Sequence, residues 1–205
     1  MITIINYGLG NINAFVNVYK KLGIEIKIAS SVNDLTRATK IILPGVGAFD
    51  YAMSRLNESG MRTTLDQMVL HENIPVLGIC VGMQMLALTS EEGILPGLGY
   101  IDGVVRKFNE SKMTAKLNLP HMGWNDITPI HGSKLFENLE DQSIFYFLHS
   151  YYIECNSPQD AIAKADYGGE FVCAVNHNNI FGVQFHPEKS HQYGIQLLKN
   201  FAILP

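Results

Sequence analysis

The sequence is poor in charge, in cysteine and in long apolar runs, and each scarcity removes a class of function. Charged residues make up 17% and the formal net charge is −4, so no basic field is present to attract a phosphate backbone. Nucleic acid is therefore disfavoured as a partner. The three cysteines are odd in number and irregularly spaced, with no C-x-x-C pair. That argues against a disulfide framework and a structural zinc site, and it fits a reducing compartment. The longest apolar stretch surrounds Cys80, contains Gln84 and falls short of the ~20 residues a membrane-spanning helix needs. The opening MITIINYGLG has no positively charged stretch, so no secretory signal and a cytoplasmic location are expected. No internal repeat, low-complexity tract or linker breaks the 205 residues, of which 47% are apolar. One domain spanning residues 1–205 is expected, long enough to bury a large core.

What is present is an alternation of periods. Residues 2–5 form an apolar run, and residues 11–22 follow with Phe15, Val18, Tyr19 and Leu22 on one helical side and Gly23 as the stop. Strand-like runs at 25–29 and 40–43 precede helix-like stretches at 48–57 and 61–72. Residues 76–79 read as a buried strand and 81–88 as a helix start. Strand followed by helix, repeated, predicts an α/β fold with a mostly parallel central sheet flanked by helices. The second half changes character. Short β runs at 104–108, 144–148, 161–165, 171–175 and 180–184 predict antiparallel additions to the same sheet, and residues 192–204 predict a closing helix.

Cys80 sits where a strand becomes a helix, inside Gly78-Ile79-Cys80-Val81-Gly82. A sharp strand-to-helix turn crowds its neighbours, which explains glycine two residues away on either side. It also presents the side chain at the carboxyl edge of the sheet, beside helical N–H groups that suit an anionic sulfur. The pattern alone is equally that of a small buried core residue. A cysteine nucleophile needs a base, and the base an orienting group. Of seven histidines, His71, His131 and His191 stand in polar surroundings, His177 in a turn, and His121 and His149 in denser contexts. His186 ends an apolar strand and is followed by Pro187 and Glu188. Proline stops the strand and can turn Glu188 back to hold the imidazole tautomer. A third element, Leu43-Pro44-Gly45-Val46-Gly47, is either an ordinary Pro-Gly turn or a loop whose N–H groups meet an oxyanion.

Together these elements resemble the class I glutamine amidotransferases, over nearly the whole chain. That family carries a cysteine in G-x-C-x-G with glutamine four residues on, here Cys80 and Gln84, and a late His-Pro-Glu, here His186 to Glu188. LPGVGAF, GICVGMQML, SEEG, PHMGWN, YFLHSY and GVQFHPEKS narrow the resemblance to glutaminase subunits of imidazole glycerol phosphate synthase, in histidine biosynthesis. The resemblance implies a catalytic triad of Cys80, His186 and Glu188 that hydrolyses glutamine to glutamate and ammonia. It implies oxyanion donors at Val81 and at Val46 or Gly47, in a strand reoriented when the synthase ligand binds. Gln84, Glu92, His149, Ser150 and Tyr151 match substrate-binding positions. The implied partner is a (β/α)₈-barrel cyclase subunit, joined as a heterodimer and fed ammonia through a dry interface that includes Asn11, Trp124 and Lys189. Trp124, in GWND, is expected in a turn with its ring partly exposed, and His121 as support for that loop. No metal, flavin or nucleotide cofactor is implied.

The match has departures. The stretch FNESKMTAKLNLPHMGWN is longer and more polar than the family pattern, and the end HPEKSHQYGIQLLKNF resembles a paralogous branch that supplies ammonia to a nucleotide-sugar amidotransferase in surface-polysaccharide synthesis. A non-catalytic amidotransferase-like protein that binds a partner or senses glutamine is a further alternative, against which the intact Cys80, His186 and Glu188 argue. The related intracellular peptidases share the elbow but lack a C-terminal His-Pro-Glu and the Gln84 position.

Overall fold

The computed structural model describes residues 1–109, 111, 117–130, 132–139 and 143–205. His131 and part of the long polar stretch before PHMGWN lie outside the described residues. Four apolar runs, Ile2–Ile5 (β1), Ile26–Ala29 (β2), Lys40–Gly45 (β3) and Val76–Cys80 (β4), pair in parallel in the order β2-β1-β3-β4. Every residue of β1 and β4 is buried, as expected of strands covered on both faces. The connections are Ile12–Lys21 (α1), Phe49–Glu58 (α2) and Arg62–Asp66 (α3), the last continuing as a π-turn over Gln67–His71. α1 buries Phe15 and Tyr19, and Gly23 takes the left-handed conformation after it (φ 68°).

After Cys80 the chain makes a single helical turn, Val81–Gln84 (α4), where the sequence predicts helix to residue 88. Past it the Leu86 and Ala87 N–H groups reach back only three residues, to the Met83 and Gln84 carbonyls at 3.0 and 3.1 Å, and the Leu88 N–H donates to the Gly103 carbonyl at 2.9 Å instead of continuing the ladder. Leu98, Tyr100, Gly99 and Gly97 donate to the carbonyls of Met85, Leu86, Ala87 and Leu88 at 2.7, 2.8, 3.1 and 2.9 Å.

The second half adds Thr89–Ser90 (β5), Gly103–Lys107 (β6), His121–Asp126 (β7), Thr128–Pro129 (β8), Ile144–His149 (β9), Tyr151–Cys155 (β10), Ala161–Asp166 (β11), Glu170–His177 (β12) and Ile180–Val183 (β13). A closing helix, His191–Ile203 (α5), packs against α1, and the Tyr19 hydroxyl donates to the Leu198 carbonyl at 3.1 Å. β6, β11 and β12 are antiparallel additions to the main sheet, as expected, and β10, a strand not predicted from the sequence, joins them between β6 and β12. Two strands depart from the expectation. β9 leaves that sheet and pairs with β7 in a separate two-stranded one. β13 pairs antiparallel with β12 but parallel with β4. The reason is the two-residue turn between His177 and Ile180, with Asn178 at φ 52°, which reverses β12 and returns the chain beside β4 in the parallel sense.

This topology positions the motifs. β3, β4 and β13 are mutually parallel neighbours, with Gly45 opposite Cys80 and Val183 opposite Ile79. Their carboxyl ends therefore emerge on one edge, carrying the LPGVG loop, the elbow and His186. The chain order also reverses between β1 and β3, where open α/β sheets place ligands. No helix among the described residues is long and apolar enough to cross a membrane.

Candidate active site

Cys80 has φ 55° and ψ −114°, a conformation that costs an L-residue about 1–3 kcal/mol. β3 and β13 pin β4 from both sides up to this residue, so the strain cannot relax along the strand. Gly82 lets the following turn lie on β3, since a Cβ there would collide with the Leu43 carbonyl oxygen. The sulfur lies 3.8 Å from the Leu148 carbonyl oxygen and 3.8 Å from Gln184 Nε2.

Phe185 precedes His186 and packs at a tilt against Phe145 of β9, ring centroids 4.1 Å apart. The His186 N–H donates to the Tyr146 carbonyl at 2.8 Å, which fixes the end of the strand that carries the imidazole. Pro187 starts a short 3₁₀ turn, and Glu188 folds back so that Oε1 lies 2.9 Å from His186 Nδ1. Both side chains are at most 4% exposed. Glu188 Oε2 is buried with no partner among the described residues. With Nδ1 engaged, Nε2 is the nitrogen left for Cys80. Burial disfavours the imidazolium, but the Cys80 sulfur and the Glu188 carboxylate outweigh it and raise the His186 pKa.

These groups open into a cleft of about 330 Å³. Val46, Gly47 and Val81 line it beside Cys80 and His186, and Gln84, Glu92 and residues 148–151 form other walls. Pro120 and Lys189 complete it. Of the residues singled out in the sequence, Glu188 stands behind His186, and Asn11 and Trp124 lie outside the cleft. Glu92 Oε2 accepts the Phe49 N–H at the start of α2, at 2.9 Å. Burial, helped by the Asp50 carboxylate, pushes the Glu92 carboxyl pKa up against that hydrogen bond.

Gln84 is buried, and its Nε2 donates to the Tyr151 carbonyl (3.1 Å) and to Gln184 Oε1 (3.0 Å). The same carbonyl accepts from His149 Nδ1 at 2.7 Å. His149 Nε2 must then be the acceptor of its 2.9 Å bond, so His121 Nδ1 donates. Burial keeps both rings neutral, holding His121 at about 4 and His149 at about 3. A hydrogen-bonded chain thus runs from His121 on β7 to Gln184 beside the sulfur. Gln184 and the His121–His149 pair carry no sequence signal of their own, because the partners meet only through the sheet.

Trp124 lies in β7 rather than in a turn and is half exposed. Its ring stacks on His191, 5.1 Å between centroids, and meets Tyr146 edge-on. Lys189 Nζ stands 5.3 Å over the same Tyr146 ring. α1, which starts after the exposed Asn11, packs against the turn that holds Lys189. Met122, Ile144 and Leu148 extend this face as exposed apolar side chains. His71, His177 and His191 are exposed, His177 with Nδ1 3.0 Å from Asp160 Oδ1.

Comparison with known proteins agrees with this geometry. Residues 3–204 match the family model of the class-I glutamine amidotransferases. The chain is 57% identical over 202 residues to imidazole glycerol phosphate synthase subunit HisH of Bdellovibrio bacteriovorus, covering 98% of this chain and 99% of that one. It is 55% identical over 204 residues to the subunit of the same name from Leptospira interrogans, covering 100% of both. The structure of PurLQS from Thermotoga maritima matches with a TM-score of 0.72 at 16% identity, covering 98% of this chain and 96% of the matched chain, a likeness of fold alone. By its sequence over almost its full length, the chain belongs to the class-I glutamine amidotransferase family.

Proposed function

We propose that this chain is the glutaminase subunit of imidazole glycerol phosphate synthase, hydrolysing glutamine and delivering ammonia to a cyclase subunit for histidine biosynthesis. The observation that carries the chemistry is the convergence of Cys80 and His186 on one cleft at the sheet edge, with Glu188 holding His186 from behind. The full-length likeness to HisH subunits supports the pathway.

In this reading glutamine enters with its ammonium toward Glu92, where a cation favours the charged carboxylate. His186 takes the thiol proton of Cys80, and the sulfur attacks the side-chain amide carbon. The N–H groups of Val81 and of Val46 or Gly47 stabilise the resulting oxyanion. His186 gives a proton to the departing nitrogen, and collapse leaves a γ-glutamyl thioester and ammonia. Water, deprotonated by His186, attacks the thioester, releasing glutamate and restoring the thiol. Glu188 stabilises the imidazolium throughout. The apolar face around Trp124, with Lys189 and Asn11, receives a (β/α)₈-barrel cyclase, so that ammonia passes without contact with water.

The test is glutamate release by the chain alone, with its own organism's cyclase subunit, and with that subunit plus the phosphoribulosyl-formimino nucleotide. The expected result is slow release alone and a rise of at least about 10²-fold with both, the size of a single oxyanion donor coming into place. Release that ignores the cyclase and its nucleotide, with no complex formed, contradicts the histidine-pathway assignment.

A further inference from the structure

We propose that Tyr7 is a positioning residue for the oxyanion strand, its hydroxyl fixing the Pro44–Gly45 peptide so that the next N–H groups meet the developing charge. The proposal rests on the glutaminase reading above.

Tyr7 lies just past β1 and is 3% exposed. Its hydroxyl donates to the Pro44 carbonyl at 2.7 Å and lies 3.5 Å from Met85 Sδ, in the segment that follows α4. The location is telling. The β1–β3 ladder ends at the Ile4–Ile42 pair, and the Asn6 N–H turns away to Ala29 at the end of β2. β1 therefore offers the end of β3 no backbone partner, and a phenol takes that place. Burial and the nearby Cys80 push the Tyr7 pKa up, so its O–H remains a donor wherever the enzyme works. The adjoining loop closes on the same spot, where a Cβ on Gly10 would stand 2.7 Å from Pro44 Cβ.

The restraint stops abruptly. Gly45 is pressed against the elbow, since a Cβ there would collide with the Gly82 nitrogen. One residue on, Val46 is 39% exposed, and Gly47 sits at φ 87° with open space where a Cβ would lie. The strand end is thus fixed at Pro44–Gly45 and free at Val46–Gly47. Tyr7 sets the base from which the donors are aimed. An error there is carried whole into the oxyanion hole, where placement to a fraction of an ångström decides rate.

Tyr7→Phe removes one oxygen. In the complex with the cyclase and its nucleotide, kcat for glutamate release is expected to fall about tenfold, with the KM for glutamine within about twofold. Affinity for glutamate γ-semialdehyde, whose adduct with Cys80 is tetrahedral and carries the oxyanion, should fall by the same factor. Alkylation of Cys80 by iodoacetamide, which forms no oxyanion, should keep its rate. Amide exchange at residues 45–47 should quicken. Met85→Leu, which keeps the Pro44 hydrogen bond, should stay within about twofold of wild type and separates the bond from mere packing. Wild-type kcat in Tyr7→Phe, an equal loss in alkylation, or an equal loss in Met85→Leu would overturn the proposal. If the wild-type complex releases no glutamate, the glutaminase reading fails instead. The exchange measurement then still decides whether Tyr7 clamps the strand.

Discussion

Replacing Cys80 by alanine or glycine is expected to abolish glutamate release, by about 10⁴-fold or more, as loss of a nucleophile does in hydrolases that form an acyl-enzyme. The two variants should differ in stability, and in an unusual order. Glycine in place of alanine ordinarily costs a protein about 0.5–1 kcal/mol. At φ 55° and ψ −114° alanine keeps the strain that Cys80 carries, whereas glycine releases it. Cys80→Gly should therefore unfold at the higher denaturant concentration, by about 1 kcal/mol relative to Cys80→Ala. Denaturant titration of the two variants checks this. The usual order, with glycine the weaker, would show that the elbow is unstrained and that Cys80 is held some other way.

Glu188→Gln should lower kcat/KM by about 10²-fold or more while leaving the KM for glutamine nearly unchanged. The KM prediction follows from position. Glu188 stands behind His186 and contributes nothing to the cleft wall. The loss follows from charge. Glutamine still presents an oxygen to His186 Nδ1, but not the carboxylate that helps offset the cost of burying an imidazolium. The pH dependence has a definite sign. The His186 pKa is raised above the ordinary 6.5, so the pair's contribution to stability is full below that value. It fades as pH rises through the folded-state value. In Glu188→Gln burial is opposed less, the folded-state pKa falls, and the alkaline limb of the pH–rate profile should move to lower pH. A profile superimposable on that of wild type, at a rate within threefold of it, would remove Glu188 from the mechanism.

The placement of Cys80 and His186 at strand ends was legible in the sequence because strand ends announce themselves. Val76 to Cys80 and Ile180 to Val183 are apolar runs, each with one internal glycine, and Gly82 and Pro187 follow shortly after their ends. The choice of neighbour was not legible. Nothing in residues 180–184 distinguishes pairing with β4 from pairing at the antiparallel margin, since both use the same alternation. The one-turn length of α4 was hidden for a different reason, because the Leu88 N–H pairs with Gly103 of a strand later in the chain rather than with its own turn. Trp124 reads as a turn residue from its Gly and Asn neighbours, and pairing with Tyr146 on β9 holds it extended instead. Tyr7 carries no signal in the sequence, because its hydroxyl's partner is a carbonyl 37 residues away. Local patterns mark where strands end, whereas side-chain partners across the sheet follow from the assembled topology.

The most direct test of the account is covalent labelling of the wild-type complex with a glutamine-like electrophile, followed by mass mapping of its three cysteines. Burial pushes the Cys155 thiol up to about 12 and raises that of Cys173 further, which makes both internal controls. One adduct is expected, on Cys80, prevented by excess glutamine and not by asparagine, and lost in His186→Ala. An adduct on Cys155 or Cys173, or labelling of Cys80 indifferent to glutamine, would contradict the assignment of this cleft as a glutaminase site.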